Sequence, residues 1–199
     1  TELVQVVEWG QYEILGRTRD DAAGEAFDKV AKLLDLLPSE GVVVGGRVVA
    51  EWAERGDPEA IAFPRGLSGE ETFDFSFSGL KTAVLNYVRQ LSADERQAQL
   101  ADIAASFQAA VVDVLVARTV EAMERTGAEA VALAGGVAAN RSLRDQMRAR
   151  VERGGGCFHC PPPVLCTDNA AMIAAAGLFH LTRGVRSGLE LDAAPRLSL

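Results

Sequence analysis

The chain has only two histidines, His159 and His180, and three cysteines, Cys157, Cys160 and Cys166, among 199 residues. Neither histidine stands beside a serine or an acidic motif, so local sequence assembles no catalytic triad and marks no nucleophile or base. No His-Glu-x-x-His run exists, which removes a zinc protease of that type. The three thiols sit close together in sequence, and such an odd, clustered set fits reduced cysteines better than a disulfide framework. Net basic charge is also lacking. With 28 acidic and 20 basic residues the formal charge is −8, so the chain as a whole repels phosphate backbones, and nucleic-acid contact needs a local basic patch or a partner. No apolar run approaches the roughly twenty residues of a membrane span, and no basic-then-apolar leader opens the chain. Internal repeats and low-complexity tracts are absent too. A cytoplasmic location is the expectation.

What is present suffices for one core. Hydrophobic residues make up 48% of the chain, enough at this length to bury a single domain. LVQVVEWGQYEILGRT alternates apolar and polar residues on both sides of Trp9-Gly10, which predicts a β-hairpin. A helix is predicted from about Asp21 to Leu36, with Phe27, Val30, Ala31 and Leu34 along one stripe. Residues 37–65 read as irregular, with a helical piece around Val48 to Arg55. FDFSFSGLKTAVLNYVRQL opens extended and turns helical near Ser78, where serine can cap. A long helix follows from Leu100 to Thr126. VALAGG is a short apolar strand, with a helix starting near Asn140, a strand at Cys157–Cys160 and a helix from Asp168 to Thr182. That order predicts a parallel strand pair with a right-handed crossover, added to the leading hairpin: an α/β fold with one mixed sheet.

Three motifs carry chemistry. DDAAGEAFDK places four carboxylates, Asp20, Asp21, Glu25 and Asp28, at the start of one predicted helix, with Asp21, Glu25 and Asp28 on a shared face. Small residues around them admit close approach, so the run suits a grip on hydroxyls or a cation, or else a solvated face whose acids cap and complement the helix dipole. AGGVAANRSLR ends a strand in Gly-Gly and opens a helix, leaving backbone N–H groups where open α/β sheets bind phosphate or adenylate. Gly-Gly there also serves tight packing, and Asn140 either caps the helix or bonds a nucleoside. CTDNAAMIAAAG begins a helix with Thr167 or Asp168 as cap, Asp168 being alternatively a metal- or phosphate-handling carboxylate. Cys157, His159, Cys160 and Cys166 look like a zinc knuckle at first. In a strand, however, Cys157 and His159 face away from Phe158 and Cys160, so the four cannot converge on a tetrahedral ion.

DDAAGEAFDK, FSFSGLK, AGGVAANR and CTDNAAMIAAAG, in this order and at these spacings, resemble the carboxyl-terminal half of the tRNA threonylcarbamoyladenosine transferase family, bacterial TsaD and its archaeal and eukaryotic relatives. The resemblance runs from ELVQV to the closing PRLSL. It implies a ribonuclease-H-like domain of the actin-like ATPase (ASKHA) superfamily, with a mixed sheet and a helical insertion over roughly residues 37–127. Residues 1–199 would form the single C-terminal domain, the N-terminal one being absent. The implied reaction moves threonylcarbamoyl from threonylcarbamoyl-AMP to N6 of the adenosine 3′ to the anticodon, in tRNAs reading ANN codons. By the same resemblance Asp28 and Asn140 contact the adenylate, Gly46 stands for the family's substrate-contacting glycine, and Asp168 is one ligand of an active-site divalent metal, iron or zinc. Implied partners are tRNA, threonylcarbamoyl-AMP and, in a bacterium, TsaB- and TsaE-like proteins, with no membrane.

Two departures qualify the resemblance. The chain begins at Thr1 where the family reads Ser-Gly-Gly-His-Thr, so the glycine loop, the preceding domain and both metal-holding histidines are expected to lie outside it. One carboxylate is then left for a metal that normally takes three or more protein ligands, and the chain alone is not expected to retain the ion or to be active. The family's Pro-Gly-Gly-Pro turn is replaced here by PSEGVVVGGRVV, Pro38 to Val49. The leading hairpin is also expected to expose a strand edge that invites self-association. Three functional readings follow: an acyltransferase half-enzyme; a non-catalytic nucleotide- or partner-binding module of the same machinery; and a sugar-kinase-like or carbamoyltransferase relative, against which FSFSGLK argues.

Overall fold

The computed structural model describes residues 1–37 and 45–192; most of the Pro38–Val49 departure and the closing PRLSL lie outside them. β1 (Glu2–Glu8) and β2 (Gln11–Arg17) pair antiparallel from Glu2↔Arg17 to Glu8↔Gln11. Gly10 turns the chain at φ 94°, a conformation glycine adopts at no steric cost. The extended FDFSFS segment lies across the far end of the hairpin. Thr18 bridges Phe75, the Arg17 N–H donates to Asp74 Oδ1 at 3.0 Å, and a Cβ on Gly16 would stand 2.2 Å from the Phe73 carbonyl oxygen.

Seven helices are described: α1 (Ala23–Leu33), α2 (Gly45–Ala53), α3 (Ser78–Val88), α4 (Ala93–Ala98), α5 (Leu100–Thr126), α6 (Arg141–Arg153) and α7 (Ala170–Thr182). α5 has the span expected of it; α1 is shorter than expected at both ends, so Asp20 and Asp21 precede it. α4 was not expected. Its signal is local: Ser92 and Glu95 form a capping box, the Ser92 hydroxyl accepting from the Glu95 N–H while the Glu95 carboxylate accepts from the Ser92 N–H at 2.8 Å.

α5 is the centre of the core. It buries side chains around its circumference, among them Ile103, Phe107, Val111, Val112 and Val116, and the Phe107 ring meets Phe27 of α1 edge to face at 5.2 Å. Contrary to the expectation that no stretch is apolar enough for a membrane span, α5 is so by length and composition, yet 67% of its most apolar stretch is buried inside the protein, which accounts for that apolarity by packing. Arg118 is buried on the same helix and donates to the Glu70 carbonyl at 3.0 Å and to the Leu67 carbonyl, holding the loop before the FDFSFS segment.

β3 (Ala130–Ala132) and β4 (Cys157–His159) pair in parallel through Val131↔Phe158, with α6 between them in sequence. The predicted mixed sheet does not form within the described residues: hairpin and parallel pair remain two separate two-stranded sheets. Ladder hydrogen bonds require strands about 4.8 Å apart, and here a cavity of about 1510 Å³ lies between β1, which lines it with residues 2–6, and β3, which lines it with residues 130–132. α7 is a second surprise, apolar throughout and without a single buried residue.

Because Phe107 is fully buried against Phe27, Phe107→Ala should destabilise the chain by about 3–5 kcal/mol. Urea unfolding followed by circular dichroism measures it; a loss below about 1 kcal/mol would show that α5 is not the packing centre.

Candidate functional site

The cavity beside β1 and β3 gathers the sequence motifs. Its walls include the start of α1 from Ala22 to Gly24, Phe27, Asp28, Gly46 of α2, the Gly135-Gly136 turn and Asn140. Three of the four sequence-derived site residues, Asp28, Gly46 and Asn140, therefore share one space. Asp168 is not among the residues that line it, although its neighbour Thr167 is.

The acidic run resolves into separate contacts. Asp20 accepts from the Ser76 hydroxyl at 2.6 Å and from the Phe77 and Ser78 N–H groups at 2.8 and 3.2 Å, so it caps α3 from across the fold. Ser78 was the predicted cap; it is the first helical residue, and a carboxylate 58 positions earlier serves its exposed N–H. Burial would raise the Asp20 carboxyl, but these three hydrogen bonds prevail and hold it below the usual carboxylate range. Asp21 pairs with Lys29, which raises the lysine's pKa, and Glu25 accepts from the Ala22 N–H at 3.2 Å. Asp28 Oδ1 accepts from the Gly45 N–H at 2.8 Å, at the start of α2. Its Oδ2 has no hydrogen-bond partner among the described residues, and the side chain is on the cavity wall. Close approach is built in: a Cβ on Gly45 would stand 2.7 Å from the Asp28 Cα. Gly46, one residue on, packs on Phe27.

The Gly-Gly motif closes the other side. β3 runs into Gly135 at φ 89°, then a 3₁₀ turn over Gly136–Ala139, then α6. An added Cβ would meet nothing within 4 Å at Gly135 or Gly136, so both are open to the cavity rather than used for packing. Gly24 of α1 lies against Val137 of this turn, which brings the acidic motif and the Gly-Gly motif together. Asn140 caps α6, its Oδ1 accepting from the Leu143 N–H at 3.0 Å while its Nδ2 donates to Gln108 Oε1 of α5 at 2.7 Å. Both ends of the amide are thus occupied. Arg144 was given no role by the sequence; it donates to the carbonyls of Ala138 and Pro161 and lies 2.9 Å from Cys166 Sγ, clamping the turn to the proline loop.

At the third motif the cap is Asn169, not Thr167 or Asp168. Asn169 Oδ1 accepts from the Met172 N–H at 3.0 Å, and Asp168 is exposed with no hydrogen bond or ion pair among the described residues. Among those residues no three histidine, cysteine, aspartate or glutamate side chains converge as metal ligands. A catalytic divalent ion therefore does not fit the groups described here by themselves. The thiols agree with the strand reading: Phe158 is buried, Cys157 and His159 are exposed, and partial burial pushes the Cys160 thiol up.

Asn140→Ala removes both an N-cap and the tie to α5, and should cost about 1–2 kcal/mol of stability by urea unfolding. Purified under metal-replete conditions and then chelated, the chain should hold no stoichiometric iron or zinc by elemental analysis. A full equivalent retained would overturn the donor count above.

Comparison with known proteins bears on this geometry. A family model, TsaD: tRNA N6-adenosine threonylcarbamoyltransferase, matches residues 1–175. A protein of that name from Symbiobacterium thermophilum is 55% identical over 200 residues, covering 100% of this chain and 56% of the relative. Namesakes from Geotalea uraniireducens and Clostridioides difficile are 51% and 42% identical, with 55% and 57% of their lengths covered. The chain thus spans little more than half the length of these relatives. Among solved structures, the crystal structure of T. kodakarensis HypF superposes with a TM-score of 0.62 at 25% identity, over 82% of this chain and 20% of that one. With the model matching most of its length, and its Asp28, Gly-Gly and Asn140 elements around one cavity, this chain belongs to the TsaD, tRNA N6-adenosine threonylcarbamoyltransferase, family.

Proposed function

We propose that this chain is the carboxyl-terminal half of a tRNA threonylcarbamoyl transferase and supplies one wall of its adenylate site. The observation that carries the reading is the single cavity shared by Asp28, Gly46, Asn140 and the open Gly135-Gly136 turn. In the proposed reaction the N6 amine of adenosine 3′ to the anticodon, in tRNAs reading ANN codons, attacks the carbamoyl carbon of threonylcarbamoyl-AMP. AMP departs with the bonding pair and the amine gives up a proton. Such a transfer needs positioning and charge stabilisation more than covalent help.

This chain's residues bind and orient. The second Asp28 oxygen accepts from a ribose hydroxyl while the first keeps α2 in place. Gly46 and the Gly135-Gly136 turn let the adenylate come close to backbone. Asn140 acts mainly by holding that turn, since both ends of its amide are already bonded. The domain reading is of a ribonuclease-H-like unit of the ASKHA type, with helices α2 to α5 as an insertion. Asp168 contributes one oxygen to a metal site whose other ligands lie outside this chain. Working partners are tRNA and TsaB- and TsaE-like proteins, in the cytoplasm, where three free thiols are at home. The occupied amide of Asn140 favours a second reading, a binding module without catalysis.

The test is co-expression of this chain with the remainder of the Symbiobacterium relative, scored by threonylcarbamoyladenosine formed in tRNA. Asp28→Asn keeps an acceptor for Gly45 but removes the charge, and should weaken adenylate binding by about 1.5–3 kcal/mol with stability little changed. Calorimetry with AMP measures it. Unchanged affinity would reduce Asp28 to a helix cap, and a folded but inactive assembly would favour the binding module.

A further inference from the structure

Residues 161–169 join β4 to α7 and bring Thr167 to the cavity wall. This loop is wound on itself. Leu165 N–H donates to the Pro162 carbonyl at 2.9 Å, Cys166 N–H to the Pro163 carbonyl at 3.1 Å, and Asn169 Nδ2 to the Leu165 and Thr167 carbonyls at 3.2 and 2.9 Å. The buried Cys166 Sγ lies 3.6 Å from the carbonyl oxygens of both Pro161 and Pro162. Apart from the Asn169 cap of α7, the only hydrogen bonds among the described residues that tie this loop to the rest of the fold come from Arg144.

One guanidinium therefore joins two parts of the cavity wall. Arg144 stands on the first turn of α6, half-buried, and its Nε donates to the Ala138 carbonyl in the 3₁₀ turn that follows Gly135. Its Nη2 donates to the Pro161 carbonyl at 2.8 Å and to Cys166 Sγ at 2.9 Å. A planar fork of this kind fixes the separation of two segments, which the single ammonium of a lysine does not. Arg144 itself is not among the residues that line the cavity, whereas Thr167, Gly135, Gly136 and Asp28 all are. The Thr167 hydroxyl has no hydrogen-bond partner among the described residues.

We propose that Arg144 is a positioning residue of the adenylate site. By fixing the Thr167 segment against the Gly-Gly turn, it places the Thr167 hydroxyl to donate to the bound adenylate. Arg144 acts only through these neighbours and touches no ligand. Loss of the clamp leaves Asp28 in place on the α1 side and lets the loop carry Thr167 away from the turn, and displacement of a binding group by about 1 Å is enough to forfeit its contact. This role rests on the adenylate reading of the cavity and not on transfer activity.

Calorimetry with AMP on the assembly co-expressed with the remainder of the Symbiobacterium relative, run beside thermal unfolding, tests it. Arg144→Lys should weaken AMP binding about tenfold, and Thr167→Val by a similar factor. The double variant separates positioning from stapling: since Arg144 acts through Thr167, the two changes together should lose little more than either alone, whereas Arg144→Lys and Asp28→Asn should multiply. An arginine that merely staples the loop would lower the melting temperature and leave AMP affinity alone. Unchanged affinity in Arg144→Lys, or losses that multiply with Thr167→Val, overturns the proposal. Should Arg144→Lys fail to fold, Thr167→Val, a change on an exposed residue, decides, and unchanged affinity there overturns it equally. A wild-type assembly that binds no AMP defeats the adenylate reading and this role with it, an outcome read from the wild type before any variant is made.

Discussion

Burial of α5 on nearly every side is the constraint from which the remaining geometry descends. Segments far apart in sequence reach their places by touching this one helix. Phe27 brings α1 to Phe107, and the Asn140 amide ties the start of α6 to Gln108. Ser106, itself buried, accepts from the Ile61 N–H at 3.1 Å. At its far end Met123 packs on the Gly154 and Gly156 turn that leads into β4. An apolar helix of 27 residues would be costly in water, and clothing it in the surrounding elements turns that cost into the main source of order. Two parts of the cavity wall, Phe27 and Asn140, are tied to α5 directly.

The carboxylates at α1 illustrate how a charged run can mislead and inform together. Side by side on one helix face, four acids would repel. The fold separates them instead: Asp20 goes to the α3 N–H groups, Asp21 to Lys29, Glu25 to Ala22 and Asp28 to Gly45. Of the two readings open to that sequence, capping and pairing account for three of the acids. Asp28 alone combines a structural bond with an oxygen that has no hydrogen-bond partner among the described residues, on a residue that lines the cavity, which is why a functional role can be argued for it and not for the others.

Local pattern made the hairpin, α5, α6 and the parallel strands legible, because each rests on periodicity or on a glycine within its own segment. The α4 capping box was also readable from Ser92 and Glu95. Asp20 as the cap of α3 was not, since nothing near Ser78 announces a partner 58 residues away. Nor was the split sheet. The order hairpin, strand, helix, strand is compatible with one sheet, and pairing between β1 and β3 depends on what lies between them, which no alternation inside either strand encodes. At the candidate site, resemblance to the family pointed to Asp28, Gly46 and Asn140, which line one cavity, while the Arg144 clamp was hidden because its carbonyl partners leave no side-chain signature.

The exposed surfaces point in one direction. α7 reads AAMIAAAGLFHLT, apolar on every side, the signature of a helix enclosed by protein. Yet Ile173 is 66% and Leu178 62% exposed, and Phe179 finds its aromatic company at Trp9, beyond the strand end of the hairpin. β3 shows the same mismatch between an apolar, central-strand sequence and an exposed edge. Two elements from different parts of the chain, each built for an interior and each left outside, are hard to reconcile with a surface shaped to face water alone.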